Sequence, residues 1–441
     1  MEITRRTLLQ AGALLAAAAP SARPAPSDRI AVGVIGTGAR GQELMDALQQ
    51  HPQAEIVGLI DAYKGRLDRA LSRVKGGAGR AKIYPTHREL LAEKSIDAVV
   101  VAIPDHLHTA VVVDALRAGK DVYCEKPLTY TPAEGLEIIA AAAAGRRIVQ
   151  VGSQGVSSDL ERKAKEMIRA GKLGRITMIH AAINRNTASG AWIYPIPPDA
   201  SPETVNWAMF QGSASPRPFS LERFFRWRCY QEYSGGIATD LFYHVAAPLN
   251  ICWGEAQFPY KVMSGGEIAI FKTQPDGRPD REVPDTFHLI AEYAKGHSLV
   301  LTSSMANDQH IPGLIRGHEG TIVMVEHGQF ERNTPYITVK PQVIRPWGKD
   351  GALPTAVTPE YQKKFGLDPI QIAVDQGDMD ELHKQNFLDC MRSREKPHLD
   401  VETGARAQAV ITLAVLSYRQ GQILYWDEKN WKPVTRPPAG A

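Results

Sequence analysis

Three side chains in this sequence are of types that can move a proton: Lys126, within Glu125-Lys126-Pro127, and, four residues apart, Asp240 and His244, a spacing that on its own also suits a surface capping pair. Interconverting a secondary alcohol and a ketone needs a base for the hydroxyl proton and a donor for the developing oxyanion. His244 is the candidate base, because an imidazole titrates near neutrality. Asp240, four residues earlier, shares a helical face with it and either fixes the imidazole tautomer or binds a hydroxyl. Gly235-Gly236 just upstream suits a tight entry into that helix. Pro127 biases Lys126 toward extended geometry, and a partly buried ammonium there can share a proton with a bound oxygen. His106 and His108 have a His-x-His ligand spacing, but no cysteine or third ligand accompanies them, so no metal is expected. His108 is read as a structural or cofactor-side residue.

These groups need a scaffold, and its first half is legible. Ile30 to Ile35 is an apolar run of strand length, followed by Gly36-Thr37-Gly38-Ala39-Arg40-Gly41 and an amphipathic stretch from Gln42 to Gln50. Strand, G-x-G-x-x-G and helix in that order form a dinucleotide-binding fingerprint. Gly36 permits the tight turn, Gly38 lets backbone amides approach a pyrophosphate, and Gly41 lets the helix pack close on the strand. A second strand ends at Asp61, 20 residues past Gly41, where an acid binds ribose hydroxyls and repels a 2′-phosphate. NAD is therefore favoured, with NADP left open by the nearby Arg40 and Arg66. A third strand, Asp97 to Ile103, runs into Pro104-Asp105-His106-Leu107-His108, and Asp121 to Pro127 reads as a strand broken by proline. Such alternation of strands and helices predicts a doubly wound parallel sheet, with ligands beyond the C-terminal strand ends. His106, His108, Glu125 and Lys126 all fall there, and Pro104, His108, Glu125 and Lys126 are candidate cofactor contacts.

At 441 residues the chain exceeds one ordinary core, so two domains are expected. The division is 1–26 for a signal segment and linker, 27–152 for the dinucleotide-binding domain and 153–441 for the remainder. Thr4-Arg5-Arg6-Thr7-Leu8-Leu9 is a twin-arginine pattern, and the apolar run from Leu8 to Ala19 has the length of a signal-peptide core rather than a bilayer span. This predicts export of a folded protein to the periplasm or beyond. A net charge of +3 with no basic run past the N-terminus gives no case for nucleic acid. Cys124, Cys229, Cys252 and Cys390 lie far apart in the sequence, and no disulfide is expected.

The segments G-T-G-A-R-G, P-D-H-L-H and C-E-K-P-L-T, in this order and spacing, resemble the Gfo/Idh/MocA oxidoreductases. Gly235-Gly236 followed by Asp240-Leu241-Phe242-Tyr243-His244 resembles that family's G-G and D-x-x-x-H, and the tail from His383 to Trp426 is similar to many members. The resemblance implies a Rossmann domain joined to an α/β domain with a large, open, mostly antiparallel sheet. It also implies a nicotinamide at the junction, Lys126, Asp240 and His244 around the reacting carbon, and a homo-oligomer. The sequence departs from the family after Val151-Gly152, where Ser153-Gln154-Gly155 stands in place of a more polar pair; Gln154 keeps a polar contact and Gly155 offers none.

From Asn184 to Tyr233 the chain is rich in aromatic residues, including Trp192, Trp207, Phe210, Phe224 and Trp227, interleaved with Arg226 and Arg228. Such a stretch suits either sugar stacking or a core contact. Arg228, Tyr230 and Tyr243, with Gln154, are the candidate substrate contacts. The expected activity is an NAD(P)-dependent sugar oxidoreductase with a tightly bound, internally recycled cofactor. The resemblance also admits an NAD-dependent glycoside hydrolase working by oxidation, elimination, hydration and reduction, and a sugar-binding protein that retains NAD structurally.

Overall fold

Four successive valine and alanine residues, Ala98 to Val101, are fully buried, as expected of a central parallel strand covered on both faces. A computed structural model describes residues 29–438, apart from 274–280, 310, 326–334, 345–355, 358–362, 364–365, 367 and 376. The twin-arginine segment lies outside the described residues. Strands β1 (Ile30–Ile35), β2 (Ala54–Ile60), β3 (Lys82–Ile83), β4 (Ala98–Val101), β5 (Asp121–Glu125) and β6 (Val149–Gly152) form one sheet in the order β3-β2-β1-β4-β5-β6. Every pairing is parallel, which gives the doubly wound order with its crossover beside β1. Helix α1 (Ala39–Leu48) follows the glycine loop and buries Leu44, Met45 and Leu48. The two-residue edge strand β3 carries too little pattern to be read from sequence.

The second sheet has ten strands: β7 (Ile176–Ala182), β8 (Lys261–Glu267), β9 (Thr286–Glu292), β10 (Ser298–Ser304), β11 (Gly313–Gly317), β12 (Gly320–Val325), β13 (Tyr336–Pro341), β16 (Ile370–Ala373), β17 (Leu424–Asp427) and β18 (Lys432–Val434). A separate two-stranded ladder pairs β14 (Val343–Ile344) with β15 (Ala356–Val357). The large sheet runs β16-β13-β12-β11-β7-β10-β9-β8-β17-β18, and only β7 with β10 is parallel. Burial alternates strictly along β9 and β10, so one face is packed and the other open. Helix α2 (Asp159–Arg169) buries Leu160, Glu161 and Ala164, and the 20-residue helix α4 (Val401–Gln420) packs against α3 (Tyr243–Cys252) and β8.

The helix Met379–Ser393 returns to the first domain. Phe387, Leu388, Cys390 and Met391 join one apolar cluster with Ile30, Val32, Leu44 and Tyr123. Arg394 closes the contact: its Nη1 donates to both oxygens of the Asp121 carboxylate, at 2.9 and 2.8 Å. All four cysteines are buried and free. Among the described residues no helix is long and apolar enough to cross a membrane.

Burial also sets an acid limit on the fold. It pushes His297 and His106 down to about 4 and His383 to about 3, from an ordinary 6.5. Between those values the unfolded chain binds protons that the folded chain does not. Stability is therefore full above about pH 6.5 and falls as pH drops toward 4, by at most about 3 kcal/mol per histidine. Glu161, buried at the start of α2 where it accepts the Ser158 hydroxyl, runs the other way. Burial raises it to about 7, so its contribution is lost as pH rises from about 4.5 through 7. Burial raises Asp105 in the same sense as Glu161, but the histidines outnumber these two carboxyls, and thermal melts should show the melting temperature falling from pH about 6.5 to about 4. A flat profile over that range would show that these imidazoles are not held neutral.

Candidate active site

The glycine loop has the shape that a dinucleotide requires. Gly36 has φ +90°, and a Cβ there would lie 2.3 Å from the Ala102 carbonyl oxygen. A Cβ on Gly41 would lie 1.9 Å from the Gly36 carbonyl oxygen, so the helix can sit this close to the turn only without a side chain. Gly38 differs: a Cβ there would meet nothing nearer than Arg66 Nε at 4.0 Å. No side chain caps α1 and no acid occupies its first turn, so its N-terminal amides face open space beside Gly38. These residues fit a pyrophosphate, with Gly36, Thr37, Gly38, Ala39, Arg40 and Gly41 as its cradle.

Asp61 is anchored back onto that loop. It accepts the Thr37 amide at 2.7 Å and the Tyr63 amide at 2.9 Å, and Arg66 lies 3.9 Å from it. A carboxylate has capacity beyond two hydrogen bonds, so ribose hydroxyls remain compatible. Of the two arginines that left NADP open, Arg40 is engaged elsewhere: its Nε donates to Glu125 at 2.8 Å. The Glu125 carboxylate, ahead of the burial that opposes it, raises the Arg40 guanidinium above its ordinary value. Arg66 lies against the rings of Phe224 and Phe225, 5.2 and 5.1 Å from their centroids. His108 bridges two carbonyls, with Nδ1 2.6 Å from Pro127 O and Nε2 2.8 Å from Ile103 O. It thereby ties the segment after β4, including Pro104, to the cis Lys126-Pro127 peptide.

Lys126 and Asp240 meet across 114 positions of sequence. The ammonium donates to the Asp240 carbonyl at 2.6 Å and to its Oδ1 at 2.9 Å. Arg228 Nε donates to the same Oδ1 at 3.0 Å, and Trp192 Nε1 donates to Oδ2 at 3.0 Å. Burial alone would raise this carboxyl, but the charges of Lys126 and Arg228 hold it far below the usual carboxylate range. Asp240 lies on a single π-helical turn, Ala238–Phe242, that leads into α3. Gly236, at φ +64°, makes the entry to that turn. His244 lies in the first turn of α3. Burial first, and the positive charge of Lys126 second, push its imidazole well below its ordinary value, so it is neutral near pH 7.

The expected Asp240–His244 arrangement differs in detail. The Asp240 oxygens face Lys126, Arg228 and Trp192, and among the described residues no hydrogen bond joins Asp240 to His244. Asp240 therefore anchors the ammonium and does not fix the tautomer. Tyr243 is not a substrate contact: it is 0% exposed and donates to the Gly404 carbonyl at 3.1 Å, because adjacent helical positions face different sides. Tyr230 is also buried, with the Arg223 guanidinium 4.2 Å above its ring, which places it in packing. Gln154 opens the turn after β6 with its Oε1 buried and, among the described residues, unpartnered, and its neighbour Gly155 packs beside Pro248 and the His244 carbonyl.

Most of the aromatic stretch is core. Phe210 packs on Phe224 and Tyr233 at 5.1 and 4.8 Å, and Tyr63 of the first domain meets Phe225 at 5.2 Å. Sequence reasoning missed Trp192 as a site residue, and the only signal was its membership of that stretch. It also missed Asp105, a buried carboxyl that accepts the Thr239 hydroxyl at 2.9 Å. Among the described residues no three His, Cys, Asp or Glu side chains gather as a metal cluster.

Comparison with known proteins agrees with this geometry. Residues 30–153 match the family model for the Gfo/Idh/MocA oxidoreductases with an NAD-binding Rossmann fold, and residues 165–426 match that family's C-terminal α/β domain. Inositol 2-dehydrogenase 1 of Saccharopolyspora erythraea is 34% identical over 187 residues, which are 41% of this chain and 54% of that protein. Inositol 2-dehydrogenase of Gluconacetobacter diazotrophicus is 37% identical over 163 residues, 36% of this chain and 47% of that one. The chain thus spans about half the length of these curated relatives. In fold it is similar to a levoglucosan dehydrogenase solved with NADH and levoglucosan, at 20% identity and TM-score 0.63, covering 90% of this chain and 99% of that one. An aldose-aldose oxidoreductase from Caulobacter crescentus gives the same TM-score of 0.63 at 16% identity, over 90% of this chain and 99% of that one. The match to the C-terminal domain alone spans more than half of the sequence, and the chain belongs to the Gfo/Idh/MocA oxidoreductase family.

Proposed function

We propose that this chain interconverts a ring hydroxyl and a ketone on a sugar or cyclic polyol, with NAD that stays bound from one turnover to the next. The observation that carries the reading is the meeting of Lys126 with Asp240, just past the C-terminal end of β5 in the parallel sheet. Bound NAD supplies the hydride acceptor or donor. Lys126 has three N–H donors, and Asp240 engages two positions around it, which leaves one donor for a substrate oxygen as charge develops there. Asp240 stays ionised and holds the ammonium in place. His244, neutral at pH 7, accepts the hydroxyl proton in one direction and returns it in the other. The curated relatives named as inositol 2-dehydrogenases support a ring hydroxyl as the reacting group.

The twin-arginine segment supports a second reading. Outside the cytoplasm no pool of free NAD exists to exchange with, so a simple dehydrogenase would stop after one turnover. Either a second substrate resets the cofactor, or the cycle is redox-neutral within one substrate, as in an NAD-dependent glycoside hydrolase. Protein purified gently should carry dinucleotide; a cofactor-free product that turns over only with added NAD would remove the resident-cofactor reading. Incubation with free sugars and aryl glycosides, without added NAD, separates the two activities. Accumulation of reduced nicotinamide selects the oxidoreductase, and leaving-group release with unchanged bound NAD selects the hydrolase.

A further inference from the structure

Two arginines beside this site hold donors that the protein does not use. Arg228 gives its Nε to Asp240, and among the described residues its terminal amino groups have no hydrogen-bond or ion-pair partner. Its side chain keeps 27% exposure, so these groups can be reached. The guanidinium lies over the Trp227 ring at 4.2 Å, which restricts its motion.

Arg185 comes from the other side. The ladder of β7 continues past its end, with Ile183 N donating to Thr302 O at 3.1 Å and Arg185 N to Ser304 O at 2.8 Å. Alternation therefore carries Arg185 onto the face that holds the buried Ile179, Ala181 and Ile183. Arg185 itself is exposed, and among the described residues its side chain has no ion pair. Its charge nevertheless reaches both Asp240 and His244.

The charges around the reacting position do not balance. Lys126, Arg228 and Arg185 are cations, and among the described residues Asp240 is the one carboxylate bonded to any of them. Glu125 is engaged by Arg40, and burial raises the Asp105 carboxyl away from its charged form. A neutral polyol needs one donor and one base, which Lys126 and His244 already supply. It has no use for two further guanidinium groups.

We infer that the substrate carries a carboxylate, as in a uronic or aldonic acid, gripped by the terminal amino groups of Arg228 and by Arg185. The planar guanidinium fork matches a carboxylate with paired, charge-assisted hydrogen bonds. This rests on the reading of the site as one for sugars, and it narrows the class to anionic ones.

Calorimetric titration of the NAD-loaded full chain tests it, with glucuronate and galacturonate against glucose and galactose, and with glucose 6-phosphate as a third arm. The uronates should bind at least about tenfold more tightly than their parent sugars. In Arg185→Gln that ratio should fall at least about fivefold. Equal affinity for uronate and parent sugar in the unsubstituted protein overturns the inference, as does tighter binding of the sugar phosphate than of either uronate. An unchanged ratio in Arg185→Gln overturns the role of Arg185. Bound-nicotinamide absorbance, read in the same samples, keeps the two claims apart. Preferential uronate binding without redox change sinks the oxidoreductase reading alone, and reduction by neutral sugars without uronate preference sinks the carboxylate site alone.

Discussion

Lys126→Met should lower kcat/KM by roughly 10²–10⁴ while leaving bound NAD in place. The loss follows from removing the one ammonium placed to hold an oxyanion, 2.9 Å from Asp240. The fold should survive, because Asp240 keeps Arg228 and Trp192 as donors; a cost of about 1–3 kcal/mol is expected for the lost partner. The substitution should also leave a mark on pH dependence. Lys126 is the second cause, after burial, of the depressed His244 imidazole, so its removal should move the acid limb of kcat/KM toward higher pH. Steady-state rates across pH read both effects together. A rate within a few-fold of the unsubstituted protein would take Lys126 out of the mechanism, and an unmoved acid limb would take His244 out of the base role.

Two glycines three positions apart should separate folding from cofactor binding. Gly41→Ala places a methyl group 1.9 Å from a backbone oxygen, where no side chain can move aside, so α1 must shift off the turn. Both stability and NAD affinity should fall, stability by about 1–3 kcal/mol or more as in other overpacked sites. Gly38→Ala meets no protein atom within 3.9 Å or less, its nearest being Arg66 Nε at 4.0 Å. The cofactor-free protein should therefore melt as before, while the methyl group occupies the space where a pyrophosphate must approach, and NAD affinity should drop about tenfold or more. Denaturation melts with and without NAD distinguish the two variants. Equal NAD affinity in Gly38→Ala and the unsubstituted protein would place the pyrophosphate elsewhere.

The first sheet was legible because its signals are local. β1, the glycine loop and α1 are consecutive, and each glycine answers to a contact within a few residues or with the neighbouring strand. The active cluster was legible only through its resemblance to a family. Nothing near Lys126 in sequence announces Asp240, because their contact depends on how two domains pack. Trp192 and Tyr230 show the limit of composition: both belong to one aromatic stretch, yet one reaches Asp240 and the other is buried in packing. Tyr243 failed for a different reason. Proximity to His244 in sequence turns it about 100° around the helix, into the contact with Gly404. The π-helical turn at Asp240 has no sequence signal that separates it from an ordinary helix, so the position of its side chain had to come from the structure.

The helix Met379–Ser393 has a consequence for how the protein is made. Ile30 and Met391 share one apolar cluster, so the first strand synthesised waits for nearly the last helix before its core is closed. Domains commonly fold in order as they emerge from the ribosome, but here the nucleotide-binding half lacks one wall until the chain is almost finished. Cofactor capture is thereby made a property of the completed polypeptide rather than of a nascent one.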